Sequence, residues 1–151
     1  MKSLYIFDLD GTLALIDHRR HHITLGNWGA FYAACVHDLP NVPVITVMEL
    51  LKVSGADVWI FSGRSDEVRM ETIDWLELHT TFTRDELAGP LLTMRNQLDY
   101  SPDHTLKHSW LCDMLDVDRE RLVCVFDDRE KVVRMWRATG VTCLQVAEGG
   151  F

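Results

Sequence analysis

The segment Leu4-Tyr5-Ile6-Phe7-Asp8-Leu9-Asp10-Gly11-Thr12-Leu13 constrains this chain more than any other. Its opening residues are β-favouring and apolar, so they predict a buried strand over 4–8. The strand runs directly into two acids separated by one residue. Residues two apart on an extended chain point to the same side, so Asp8 and Asp10 leave the strand end facing one place. Open α/β sheets bind their ligands at that carboxyl edge. Two neighbouring carboxylates repel and shift each other's pKa, and a bound cation relieves the repulsion. A strand entering an Asp-Gly turn with solvated acids is the alternative for this segment alone.

Three later segments bear on that choice. Val58-Trp59-Ile60-Phe61 is a strand that stops at Ser62-Gly63-Arg64, where a hydroxyl and turn amides suit an anionic oxygen. Ser65 then caps the following helix, with Asp66 and Glu67 in its first turn. Ser101-Pro102-Asp103 reads as a helix start with Ser101 as cap, and it puts Lys107 in the opening turns; a lone helical lysine is ordinarily a solvated one. Leu122-Val123-Cys124-Val125-Phe126 is a strand ending in Asp127-Asp128, and either acid also serves as a helix cap.

Between these segments strands and helices alternate. A loop-rich insert follows strand one over about 15–42, with Trp28, Phe31, Tyr32 and Cys35 at helical spacing. Asn41 and Pro43 open a helix with Val44, Val47, Met48 and Leu51 on one face, closed by Gly55. A strand over 57–61, a helix over 66–79, a short strand near 90–94 and the Lys107 helix come next. A strand over 121–126, a helix over 128–138 closed by Gly140 and a strand over 141–146 complete the chain. The pattern predicts one α/β domain over 1–151, a Rossmann-like parallel sheet with helices on both faces and a small cap insert after strand one.

The order of the four polar strand ends and helix start is that of the haloacid dehalogenase-like phosphatases, and the chain resembles that superfamily from Leu4 to its C-terminus. Within it, Phe7 to Ala14, Ser62-Gly63-Arg64 and above all Asp127-Asp128-Arg129 through Val132-Val133-Arg134-Met135-Trp136 to Gln145-Val146-Ala147 resemble the 3′-phosphatase domains of bacteriophage polynucleotide kinase-phosphatases. The resemblance implies a phosphomonoesterase in which Asp8 is the nucleophile and forms an aspartyl-phosphate. Asp10, two residues on, is placed to protonate the leaving oxygen and later to take a proton from water, which asks for an upward pKa shift. Hard oxygen ligands point to Mg²⁺, shared by Asp8, the Asp10 carbonyl and Asp127 or Asp128. Ser62, Gly63, Thr12 and Lys107 would bind the transferring phosphoryl group. By resemblance Arg19 and Arg64 hold substrate phosphate, with Arg95 a further candidate and Asp103 supporting the cluster.

Charge sets a limit on the substrate. The net charge of −8 argues against a grip on long nucleic acid through many phosphates, and leaves room for one terminal nucleotide. The implied partner is a phosphate ester, either a nucleic-acid 3′ end or a nucleotide. A 5′-nucleotidase and a non-catalytic phosphate-binding module are the competing readings. His18, His21 and His22 invite a transition-metal site, but a solvated basic loop explains them better. Trp28, Phe31 and Tyr32 suit either base stacking or packing of the cap on its own core. The chain has no G-x-x-x-x-G-K-[ST] loop, so ATP-dependent 5′-phosphorylation is not expected of it. No apolar run reaches the ~20 residues of a membrane helix. The four cysteines form no C-x-x-C pair and read as reduced thiols of a cytoplasmic protein.

Overall fold

The computed structural model describes residues 1–151. The elements in chain order are β1 (Leu4–Phe7), β2 (Ala14–Leu15), α1 (Arg20–Thr24), α2 (Trp28–Ala33), β3 (Leu39–Pro40), α3 (Val42–Val53), β4 (Asp57–Ser65), α4 (Arg69–His79), α5 (Arg84–Ala88), β5 (Leu92–Arg95), α6 (Asp103–Asp113), α7 (Asp116–Arg121), β6 (Leu122–Asp127), α8 (Glu130–Ala138) and β7 (Cys143–Gln145). Five strands form one sheet in the order β5-β4-β1-β6-β7, and every neighbouring pair is parallel. The chain leaves β1 toward β4 on one side and returns to β6 on the other. The carboxyl end of β1 is therefore the switch point where an open sheet forms a crevice.

Alternation along β1 splits the core in two. Phe7 joins Met48, Ile60, Trp75, Leu76 and Phe126 on the face covered by α3, α4 and α5. Leu4 and Ile6 join Phe61, Leu111, Val132, Val133 and Trp136 on the face covered by α6 and α8. Phe7 and Phe126 stack across neighbouring strands with centroids 4.3 Å apart. The predicted insert is a real excursion. It opens and closes through the antiparallel pair β2–β3, Ala14 opposite Pro40 and Leu15 opposite Leu39.

Several predicted boundaries move for local reasons. Pro102 is extended at ψ 148°, so α6 starts at Asp103 and Ser101 is not its cap. Neither Asp127 nor Asp128 is the cap residue of α8, which starts at Glu130 after Arg129, although Asp127 Oδ1 accepts the Arg129 N–H at 3.1 Å. Ile45 rather than Val47 packs inward from α3. The chain through His21 and His22 is helical, not a loop, and Asp8, Asp127 and Asp128 rather than the histidines form the metal-capable group. The short helices α5 and α7 were not anticipated, although Thr83 and Glu86 form a capping box that announces α5. Gly55 and Gly140 follow α3 and α8 with positive φ, as their positions predict.

Trp136 is fully buried against Phe61 and the β1 side chains. Trp136→Ala is expected to lower the unfolding free energy by about 3–5 kcal/mol, read from the denaturant midpoint, because the indole leaves a cavity that a rigid sheet cannot close.

Candidate active site

The residues beyond the carboxyl ends of β1, β4, β5 and β6, with the start of α6, line one cavity of about 650 Å³. Asp8 follows β1 directly. Its Oδ2 accepts from Thr12 Oγ1 at 2.9 Å and its Oδ1 accepts from Lys107 Nζ at 2.6 Å. The same ammonium donates to Asp127 Oδ2 at 2.8 Å. Lys107 reaches this point from the second turn of α6, which packs against β4 and α8. Lys107, which the resemblance assigns to the site, is buried and doubly paired, unlike the solvated residue that a lone helical lysine ordinarily is.

Asp8, Asp127 and Asp128 are all buried, and one oxygen from each lies within 4.8 Å of the others. Asp128 Oδ2 is buried with no hydrogen-bond partner. Burial and the Asp127 charge push the Asp8 carboxyl well above the usual range, against the pull of Lys107. The same two causes raise Asp128 to about 6. Gly11 sits at φ +83°, and a Cβ there would stand 2.0 Å from Asp128 Oδ2, so only glycine lets this carboxylate reach the β1 loop.

Ser62 does not end its strand, as the sequence suggests. β4 continues to Ser65, but its pairing with β5 passes from Ser62–Met94 to Ser65–Arg95, so Gly63 and Arg64 bulge out of register. The bulge turns the Arg64 N–H onto Ser62 Oγ at 3.1 Å. It also frees the Gly63 carbonyl to accept from Arg95 Nε at 2.8 Å. A Cβ at Gly63 would lie 2.6 Å from Asp103 Oδ1, so glycine there admits the first residue of α6. Asp103 accepts from Arg95 and Arg129, both at 2.5 Å. Burial alone would raise its pKa, but Arg129, Lys107 and Arg95 hold it below the ordinary value.

Asp10 and the two arginines of the resemblance form a second cluster. Arg64 and Arg19 both donate to Asp10 Oδ1, at 2.5 and 2.7 Å. Asp38, fully buried, takes the other side of the arginines. Arg19 grips both its oxygens at 2.7 and 2.6 Å, Arg64 adds 3.3 Å, and His18 Nε2 lies 2.7 Å from Oδ1. The upward shift expected of Asp10 is not what the resting geometry gives. Burial raises its pKa, but the Arg64 and Arg19 charges outweigh that and hold it at about 2. Arg19 is fully buried and does not line the cavity, whereas Arg64 and Arg95 do.

Asp38 escaped the sequence reading. Between His37 and Leu39 in a polar insert, an acid carries no pattern that separates it from a solvated one. Arg129, which ties Asp103 to the carbonyl of Phe151 at 2.7 Å, was visible only as part of a matched stretch.

A buried group of three acids and one lysine at the carboxyl edge of a parallel sheet ordered in this way fits a haloacid dehalogenase-like phosphatase fold. The chain belongs to the family described as the polynucleotide kinase PNKP phosphatase domain, whose model matches residues 2–151. It is 30% identical over 131 residues to a protein of Autographa californica nuclear polyhedrosis virus named as a bifunctional polynucleotide kinase/RNA ligase, covering 86% of this chain and 17% of that one. Two solved structures of Pnkp1/Rnl/Hen1 complexes match all of this chain at 30% identity, with TM-scores of 0.81 and 0.77, over 47% and 44% of the chains matched. This chain thus spans less than half the length of these relatives. A class C acid phosphatase from Bacillus anthracis shares the fold at 14% identity and a TM-score of 0.63, over 99% of this chain and 68% of that one.

Asp38→Asn preserves shape and strands part of two buried guanidinium charges. It is expected to cost about 3–5 kcal/mol in denaturant unfolding. The neighbouring exposed acid provides the control, since Asp17→Asn should change stability by less than about 0.5 kcal/mol.

Proposed function

We propose that this chain is a Mg²⁺-dependent phosphomonoesterase that works through an aspartyl-phosphate on Asp8 and removes 3′-phosphates from polynucleotide ends. The observation that carries this reading is the buried group of Asp8, Asp127 and Asp128 around Lys107. Three carboxylates and one ammonium leave two negative charges uncancelled, and Asp128 Oδ2 lacks any partner. That donor set fits a small hard dication. Asp8, Asp127 and Asp128 would hold it, and when bound it supplies charge neutralisation beside the phosphoryl oxygens.

The chain's own residues do the rest. An Asp8 carboxylate oxygen forms a bond to phosphorus as the bond to the leaving 3′ oxygen breaks, and that oxygen takes a proton from Asp10. Water then attacks the phosphoryl group, gives a proton to Asp10, and regenerates Asp8 with release of phosphate. Asp10 rests ionised on Arg19 and Arg64, which suits the second step. The first step needs Asp10 protonated, so its contacts to the two guanidinium groups loosen before the leaving group departs. Lys107 orients Asp8, the Gly63–Arg64 bulge lines the cavity where the phosphoryl oxygens would sit, and Ser62, buried behind it, holds the bulge by accepting the Arg64 N–H. In this reading Arg19 and Arg64 serve mainly by holding Asp10, and Arg95 by holding Asp103.

The domain spans 1–151, with 15–42 as its small cap. A polynucleotide end is favoured by the family to which the chain belongs and by the RNA repair complex among its structural neighbours. No helix is long and apolar enough to cross a membrane, and all four cysteines are free thiols, which suits the reducing cytoplasm.

Asp8→Asn is expected to lower turnover at least about a thousandfold with the melting temperature little changed. Excess EDTA should abolish activity and added Mg²⁺ restore it. On a panel of 3′- and 5′-phosphorylated oligonucleotides and 3′- and 5′-mononucleotides, kcat/KM should be highest for the 3′-phosphorylated oligonucleotide. A preference for 5′-mononucleotides would replace this substrate with that of a nucleotidase.

A further inference from the structure

We infer that Trp28 and Tyr100 form a stacking subsite for the base of the substrate's terminal nucleotide, at the cavity that holds Asp8; the inference rests on the phosphatase reading above and names what grips the leaving group. Both rings line that cavity, as does Tyr32. A cavity of about 650 Å³ is far larger than a phosphate requires and suits a nucleoside-sized group.

Packing of the cap on its own core accounts for Phe31 and not for Trp28. Phe31 is buried, with the Arg19 guanidinium 4.2 Å from its ring centre. Trp28 meets Phe31 edge-on at 5.6 Å and remains 44% exposed, a large apolar ring with one free side. It is also held in place. Asn27 Oδ1 accepts the Ala30 N–H at 3.1 Å and fixes the start of α2, of which Trp28 is the first residue.

Tyr100 is 88% exposed, yet its backbone is clamped on both sides. Arg95 donates to the carbonyls of Asp99 at 3.0 Å and Ser101 at 2.6 Å. A solvent-facing ring on an anchored backbone is the arrangement expected of a platform, because little motion remains to be frozen when a ligand stacks.

Charge accounting narrows the competing explanation for how a nucleotide would be held. Arg19 and Arg64 are matched by Asp10 and Asp38, Lys107 lies between Asp8 and Asp127, and Arg95 and Arg129 share Asp103. The Arg95–Asp103–Arg129 set keeps one positive charge and Lys131, exposed at the cavity, makes no ion pair, so cationic grip beyond the scissile phosphate is confined to that side of a chain at −8 overall. On the insert side of the cavity no unpaired cation is available, and there a base offers its π-face to Trp28, as it does to Tyr100 across the opening of α6.

The test compares two 3′-phosphorylated oligonucleotides of one sequence, one ending in adenosine and one in an abasic residue. For the full 151-residue chain, kcat/KM should favour the base-bearing end by about tenfold. Trp28→Ala and Tyr100→Ala should each bring that ratio close to one, and Trp28→Phe should keep most of it. A terminal purine should exceed a pyrimidine. A ratio near one in the unaltered protein, or a ratio that both alanine variants leave unchanged, would overturn the stacking subsite. If 5′-mononucleotides prove the better substrates, the 3′-end reading fails. The same ratio taken between AMP and ribose 5-phosphate then decides the subsite: loss in Trp28→Ala supports it, and no loss overturns it.

Discussion

The buried ammonium of Lys107 holds the site together. It joins the acid that follows β1 to the acid that ends β6, and it comes from α6, an element that neither strand touches through the sheet. A charge buried this completely is tolerated only when opposite charge meets it at hydrogen-bond distance. Asp8 and Asp127 could not stand side by side in a buried edge without it. The position of α6 over the sheet is therefore fixed from below by ion pairing as well as by the packing of Leu111 and Met114 against the core.

The same rule organises the rest of the crevice. Asp10, Arg19, Arg64 and Asp38 make a closed set of two negative and two positive charges, and it ties the insert to β1 and to the β4 bulge. Trp75 reinforces the tie by donating from Nε1 to the Asp38 carbonyl at 2.8 Å. Arg95, Asp103 and Arg129 make a third set, which bonds β5 to α6 and to the segment after β6. That third set keeps one positive charge, and only the group of Asp8, Asp127, Asp128 and Lys107 is left with an excess of negative charge. That excess of negative charge is what the proposed Mg²⁺ would offset.

Much of this was legible in the sequence because strands announce themselves by apolar runs and their ends by what breaks them. Phe7-Asp8, Phe126-Asp127-Asp128 and the Ser62-Gly63 pair all lie at the predicted sheet edge. What was hidden depended on side-chain partners far apart in the chain. Asp38 lies 19 residues from Arg19 and 26 from Arg64, and nothing local distinguishes it from a loop acid. Arg19 reads as part of a basic run with Arg20, His21 and His22, yet one arginine is fully buried and its neighbour is not, a difference set by which way a short helix is docked. Asp10 illustrates the same limit, since spacing gave its direction from the strand and could not give the two guanidinium groups that hold its pKa down.

A small insert and an acidic surface push recognition in one direction. The excursion between β2 and β3 is stapled at its neck by two residue pairs and at its base by the Asp38 cluster, so it is a wall and not a separate lid. A wall of this size has room for few side chains, and its two buried charges, Arg19 and Asp38, face inward and neutralise each other. What it turns toward the cavity is aromatic: Trp28 and Tyr32. Electrostatic attraction toward a polyanion is weak for a chain at −8 and is screened by salt in any case, so selectivity rests on contacts made at short range. Under the proposed function, a phosphate at the sheet edge with an aromatic wall lining the same cavity would select for an ester that carries a flat group beside its phosphate, and a nucleotide end has that shape.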